Sequence, residues 1–363
     1  MVWSLLLIAV GLAVLVFGGD LLVRGASQLA LSINISPLVI GLTVVAFGTS
    51  APELAVSLQA AFSGQAAVAV GNVLGSNIFN VLCILGLSAT VTPLVVSSQL
   101  VRWDVPFMIL SSLLMWWMSI DMTISQLEGG VLFAILCGFI VSCLRRSRLG
   151  TGESVDETAK ELPSNQGKSA NRWAQMLFIL LGLVLLAIGS KWLVNGAVTI
   201  ATIWGVSDLI IGLTIVAAGT SLPEVVTSVV ASIRGERDIA VGNVVGSNIF
   251  NLLCVLGLSS LISPAGIPLT SVALQFDIPV MVAVAILCLP ICFTNNLISR
   301  FEGAILLLYY LAYILILILA EAAPELGDRL ETIVAFGLIP LTVLTLLASL
   351  LFTWRVSSKG LLH

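Results

Sequence analysis

Long apolar runs separated by short polar breaks make up most of the chain. Measured against the roughly 20 apolar residues that cross a hydrocarbon core, they predict membrane helices at about 3–31, 37–62, 69–91, 103–120 and 127–144. Five more are predicted at about 173–203, 208–233, 240–262, 273–294 and 302–320, and an eleventh at about 333–353. The first run lacks a basic start and continues through Gly18, Gly19 and Arg24, past the apolar length of a signal peptide, so it reads as a retained helix. The pattern breaks over residues 145–172, rich in Ser, Gly, Glu and Lys, which predicts a flexible linker. Its acids Glu153, Asp156, Glu157 and Glu161 do not have calcium-loop spacing. The expected organisation is a first five-helix unit over 1–144, the linker over 145–172 and a second five-helix unit over 173–320. An acidic outer loop, the eleventh helix and a tail follow over 321–363.

Composition agrees with this reading. Apolar residues are 59% of the 363 positions and charged residues 9%, against about 25% charged in soluble domains, so the bilayer is the solvent. The cysteines (83, 137, 143, 254, 288 and 292) fall inside predicted spans without metal-ligand spacing and read as packing residues. Basic residues form no aromatic-interleaved patch, which argues against nucleic acid, and no obligate protein partner is implied. Their placement sets orientation. With the N-terminus outside, the inward segments hold Arg102, Arg145, Arg146, Arg148, Lys160, Lys168, Arg172, Arg234, Arg237, Arg300, Arg355 and Lys359, and the outward ones hold Arg329. The positive-inside rule thus predicts a multi-pass protein of the cell (inner) membrane with the linker and C-terminus in the cytoplasm. Arg24 and Lys191 read as snorkelling residues near helix ends.

The chain repeats itself. Shifted by 171 residues, Ser36–Ser57 matches Ser207–Ser228 at 14 of 22 positions and Ala69–Asn80 matches Ala240–Asn251 at 11 of 12. Weaker correspondences join Gly18 to Gly189, Gly25 to Gly196, Asp104-Val-Pro to Asp277-Ile-Pro and Glu128-Gly to Glu302-Gly. An odd number of spans per unit inverts the second copy and brings equivalent residues together near the bilayer middle, as in secondary transporters.

The aligned blocks carry chemistry. In Ala46-Phe-Gly-Thr49-Ser50-Ala-Pro52-Glu53 and Ala217-Ala-Gly-Thr220-Ser221-Leu-Pro223-Glu224 a carboxylate sits mid-span, where an acid costs about 2.5–3.5 kcal/mol. Pro52 and Pro223 lack the N–H that would reach the carbonyls of Gly48 and Gly219, so each helix should kink and free backbone oxygens. Thr49 and Ser50, one turn before Glu53, are expected to share its face, as Thr220 and Ser221 share that of Glu224. The following helices place Ser76 one turn from Asn80 and Ser247 one turn from Asn251. Together these form an all-oxygen set, suited to calcium, magnesium or sodium and not to zinc or copper. Taken singly, Ser, Thr, Asn and Gly at helical spacing also serve as packing contacts, but duplication of every type at one offset favours an ion site. Asn72, Asn77, Asn243 and Asn248 are left open between packing and support of that site. The Asp-Pro pairs read as helix starts, and Glu128 and Glu302 as first-turn acids.

These paired blocks, Gly-Thr-Ser-x-Pro-Glu and Gly-Ser-Asn-Ile-Phe-Asn, closely resemble the alpha repeats of the calcium/cation antiporter superfamily, in its prokaryotic sodium/calcium exchanger branch. The resemblance covers spans one to ten. It implies an all-α integral membrane fold of two inverted five-helix repeats, with helices one and six sliding past a kinked core. It also implies ion ligands at Ala46 and Ala217 through their carbonyls, and at Thr49, Ser50, Thr220, Ser221, Glu53, Glu224, Ser76, Ser247, Asn80 and Asn251. The transported ions would be Ca²⁺ and Na⁺, with no cofactor. Some members carry aspartate where this chain has Asn251, and the eleventh span departs from the usual ten. Exchange of protons for calcium at the same carboxylates is the nearest alternative, a cation channel a more distant one. An enzyme is disfavoured by the absence of a His-Glu-x-x-His motif, His363 being the lone histidine.

Overall fold

In a computed structural model, which describes residues 1–149, 172–205, 217–293 and 296–333, the two longest helices lie against one another. Helix α1 is Val2–Ser32; its partner, Arg172–Ile203, belongs to the second half. The reason they meet is a seam of glycines. A Cβ at Gly11 would fall 2.7 Å from the backbone N of Leu193, and one at Gly182 would fall 2.7 Å from the backbone N of Leu22. Without side chains at these positions the two backbones approach to van der Waals contact, the packing that membrane helices use where no hydrophobic drive exists.

Contacts recur in pairs in which each partner is exchanged for its counterpart 171 to 174 residues away. Gly11 faces Gly189 and Gly182 faces Gly18; Gly86 faces Gly303 and Gly257 faces Gly129. Short antiparallel ladders pair Leu94 with Ile298 and Ile124 with Ile267, a small β component that the all-α reading omitted. The capping boxes are matched too. Ser299 and Glu302 cap each other, and Ser125 donates through N and Oγ to Glu128 Oε2 at 2.8 and 2.7 Å while accepting from the Glu128 amide. The first-turn acids are therefore the reciprocal partners of the capping serines.

Among the described residues, six of the expected spans are continuous helices long and apolar enough to cross a membrane: Val2–Ser32, Ala67–Val91, Gln126–Ser147, Arg172–Ile203, Arg237–Ile262 and Arg300–Ala320. The expected span at 37–62 is a broken pair, Pro37–Thr49 and Ala51–Phe62, bent by 45°. Shorter helices occupy the expected spans at 103–120, as Val105–Met118, and at 273–294, as Ile278–Phe293. The span at 208–233 is described from Ala217, as Ala217–Thr220 and Leu222–Ile233. The eleventh run and most of the linker lie outside the described residues. The linker also starts later than expected, because Gln126–Leu149 continues as helix through Arg145 and Arg146, cations that suit a helix C-terminus.

Burial orders these helices. The apolar stretch of Arg237–Ile262 is wholly buried and that of Ala67–Val91 is 72% buried, against 22–33% for the four remaining long helices. The blocks that repeat most closely thus form the centre of the bundle, and the outer helices present apolar residues such as Leu12, Phe17, Leu180 and Leu311 outward, as lipid-facing surfaces do.

The Asp-Pro pairs are not helix starts. Each follows a π-helical turn, Leu100–Asp104 or Ala273–Asp277, so the helix is already under way and the extra residue absorbs the donor that proline lacks. Asp104, fully buried, accepts from Arg146 Nη2 at 3.2 Å and Gln99 Nε2 at 3.5 Å, and the Arg146 guanidinium lies 5.7 Å above the Trp103 ring. Asp277 accepts from the Tyr313 hydroxyl at 3.2 Å.

Candidate functional site

The helix carrying Glu53 breaks at Ser50, where the backbone leaves helical geometry. Ser221 interrupts the second copy in the same way, each break two residues ahead of its proline. A turn freed from the helix can aim its hydroxyl across the bundle. Ser50 Oγ donates to Glu224 Oε1 at 3.2 Å, and Ser221 Oγ donates to Glu53 Oε1 at 2.9 Å. For the two serines the expectation of sharing a face with their own carboxylate is corrected: Ser50 and Ser221 pair with the carboxylate of the other half, because the bend turns each serine away from the following helix. Ser221 Oγ also lies 3.3 Å from Ser76 Oγ, from whose hydroxyl it can accept while its own proton goes to Glu53.

Both glutamates are 1% exposed. Each is steadied from below by an asparagine of the neighbouring helix. Asn72 Nδ2 donates to the Glu53 carbonyl at 3.1 Å and to Ser57 Oγ at 2.9 Å; Asn243 Nδ2 donates to the Glu224 carbonyl at 3.4 Å and to Ser228 Oγ at 2.9 Å. Asn72 and Asn243, left open by the sequence, thus tie the glutamate-bearing helices in place. Thr49 Oγ1 turns toward Asn243 Oδ1 at 3.1 Å and the Ala46 carbonyl at 3.4 Å. That carbonyl also accepts the Ser50 amide at 3.0 Å. Thr220 is half-buried beside its break, and Ala217 opens the described helix there.

Asn80 and Asn251 stand where straight helix gives way to π-helical turns, Asn80–Leu85 and Asn251–Leu256. Such turns mark functional positions in helices because one extra residue re-aims the side chains that follow. The amide nitrogen of Asn80 is taken by Asn248 Oδ1 at 3.0 Å and that of Asn251 by Asn77 Oδ1 at 3.1 Å.

Five oxygens at this level are buried and meet no hydrogen-bond donor: Glu53 Oε2, Glu224 Oε2, Asn80 Oδ1, Asn251 Oδ1 and Ser247 Oγ. Buried polar atoms are ordinarily paired. A group with two carboxylate and two amide oxygens can accept but has little to donate, which is the chemistry of a hard cation's coordination shell. Among the described residues there is no group of three or more His, Cys, Asp or Glu that could hold a metal ion.

Known proteins resemble this chain over most of its length. The family model described as sodium/calcium exchanger protein matches residues 3–145 and 174–319. The chain belongs to the sodium/calcium exchanger family. Among its relatives, the putative antiporter CaxA of Alkalimonas amylolytica is 39% identical over 315 residues, covering 86% of this chain and 98% of CaxA. The sodium/calcium exchanger MaX1 of Methanosarcina acetivorans is 32% identical over 345 residues, covering 86% and 98%. A solved structure of the sodium-calcium exchanger NCX_Mj, soaked with Na⁺ and Sr²⁺, superposes with a TM-score of 0.73 at 28% identity, over 86% of this chain and 98% of that one. This exchanger-family chain is accordingly a multi-pass membrane antiporter of cations and not an enzyme, and members of the family carry their ions without a cofactor.

Two kinds of residue were missed from sequence. Ser57 and Ser228 close the aligned block and were visible there as its last identity. Ser190, whose hydroxyl donates to the Gly219 carbonyl at 2.6 Å, aligns with Gly19 at the 171-residue offset, so no repeat signal marked it. The carbonyl it meets is the one Pro223 was expected to release.

Proposed function

We propose that this protein exchanges Ca²⁺ for Na⁺ by alternating access at a site built from Glu53, Glu224, Asn80, Asn251, Ser76 and Ser247, with Ser50, Ser221, Thr49, Thr220 and the carbonyls of Ala46 and Ala217 completing the ion shells. The observation that carries the reading is the set of donorless buried oxygens around two carboxylates. Two ionised glutamates give the site a charge of −2, which one Ca²⁺ neutralises and which two or three Na⁺ neutralise or overfill; competition for the same oxygens couples the ions. Burial makes an empty, doubly charged site costly to occlude, so the loaded site is the one that crosses. With three sodium ions per calcium the cycle moves one net positive charge.

The architecture we assign is a ten-helix core of two inverted five-helix repeats plus an eleventh helix at about 333–353, in the inner membrane. The N-terminus lies outside, and the linker and C-terminus are cytoplasmic. The paired contacts of the two halves and the distribution of Lys and Arg support this assignment.

The test is ⁴⁵Ca²⁺ uptake into proteoliposomes loaded with sodium and diluted into sodium-free buffer. Uptake that requires internal sodium and is lost in Glu53→Gln and Glu224→Gln is expected. Uptake driven by a pH gradient and indifferent to sodium would replace sodium with protons as the counter-ion. Absence of uptake under either gradient would overturn calcium as the substrate.

A further inference from the structure

Asn77 and Asn248 are absent from the proposed ligand set, yet they are 3% and 2% exposed and every polar end of their side chains that the structure describes is engaged. Asn77 Nδ2 points to the backbone carbonyl of Asn248 at 3.4 Å and to the Met281 sulfur at 3.6 Å. Asn248 Nδ2 points to the Met108 sulfur at 3.4 Å. A carbonyl and a thioether accept and never donate, so each amide must turn its NH₂ toward them. Its oxygen then faces the other way, where Asn77 Oδ1 receives the NH₂ of Asn251 and Asn248 Oδ1 receives that of Asn80. With their nitrogens held, Asn251 and Asn80 keep their own oxygens buried and without a hydrogen-bond donor, as the proposed ion site needs them.

We infer that Asn77 and Asn248 are positioning residues that fix which end of Asn251 and Asn80 faces the ion, with Met281 and Met108 setting the direction of each relay. The two ends of a carboxamide have nearly the same shape and opposite polarity. An NH₂ turned into the site would oppose a cation where the oxygen attracts it, so the relay decides affinity through orientation alone. The logic is particular to a chain with asparagine at both positions, because a carboxylate presents oxygen whichever way it turns. This inference rests on the proposed ion site.

The experiment measures ⁴⁵Ca²⁺ binding to the purified protein, independently of transport, in wild type, Asn77→Leu, Asn251→Asp and the double variant Asn77→Leu/Asn251→Asp. Asn248→Leu carries the same test on the other side if Asn77→Leu does not fold. Loss of one buried hydrogen bond predicts roughly tenfold weaker Ca²⁺ binding for Asn77→Leu, but a change of less than about threefold when the same substitution is made in the Asn251→Asp background. An equal loss in both backgrounds would show that Asn77 only packs the helices and would overturn the inference. So would unchanged binding in Asn77→Leu and Asn248→Leu when wild type binds. Failure of wild type itself to bind Ca²⁺ would overturn the ion site and the inference with it.

Discussion

Gly11 and Gly189 meet backbone against backbone: a Cβ built on either one would lie 2.8 Å from the carbonyl oxygen of the other. Gly18 and Gly182 repeat the contact further along the same two helices, and Gly25 and Gly196 press against the backbones of Gln175 and Ser4. Side chains of the partner helix, among them Leu15, Leu185 and Ile179, fill the spaces the glycines leave, so the two helices interlock along the seam.

The seam gives a stability prediction with an internal control. Gly189→Ala must push the helices apart and should lower stability by about 1–3 kcal/mol, the usual cost of overpacking. Gly138 also lies in a helix interior, but a Cβ there would meet nothing within 4 Å. Gly138→Ala should be neutral or stabilising by up to about 1 kcal/mol. Thermal unfolding of the detergent-purified variants separates the two; equal midpoints would mean the seam is not tight.

How much of this was legible in the sequence depended on duplication. Glu53, Ser50, Ser76 and Asn80 have counterparts of the same type 171 residues on, so the set of chemical groups could be picked out before any geometry was known. What each group touches could not. The pairing of Ser50 with Glu224 follows from a backbone break whose direction depends on tertiary packing, and the π-helical turns at Asn80 and Asn251 carry no residue signature of their own. Asp104 was misread for the same reason, since the proline two residues later ordinarily marks a helix N-terminus and nothing local announces the π-helical turn that absorbs it. Ser190 escaped because only one half has it.

A second asymmetry lies at the end of the molecule where Arg172 Nη2 donates to the Ser32 carbonyl. There Asp20 accepts Arg24 Nε at 2.9 Å and is also paired with Arg234, while Ser27 Oγ donates to Glu236 Oε1 at 2.7 Å. These contacts tie helix α1 to the turn between Leu222–Ile233 and Arg237–Ile262. The counterparts at an offset of 171 are Lys191 with Ser63 and Val198 with Gln65, which cannot form an ion pair. This tie therefore has no repeat-related equivalent, and under the alternating access proposed above it favours the state closed at that face. Exposed ion pairs contribute up to about 1 kcal/mol, so Arg234→Gln should raise opening there by about two- to fivefold. Hydrogen–deuterium exchange at residues 234–240 reads this directly; unchanged protection would show that the pair does not hold the face shut.

The pair at the end of the helix leading into the linker behaves differently because one partner cannot reach water. Asp104 is fully buried on its side chain, whereas Arg146 is 28% exposed. Removing the arginine strands a buried carboxylate, and Arg146→Leu should cost about 3 kcal/mol, near the low end of the range for breaking a buried pair because the guanidinium is partly solvated. Asp104→Asn should cost less, since the arginine left behind can still face solvent and the Trp103 ring. The double variant Asp104→Asn/Arg146→Leu should recover most of the loss, because no charge remains inside and the amide oxygen introduced at position 104 can still accept from Gln99. Unfolding midpoints of the three variants decide between this and a role for Arg146 in packing alone. If Arg146 acts only through its aliphatic stem and its stacking on Trp103, the double variant will be no more stable than Arg146→Leu.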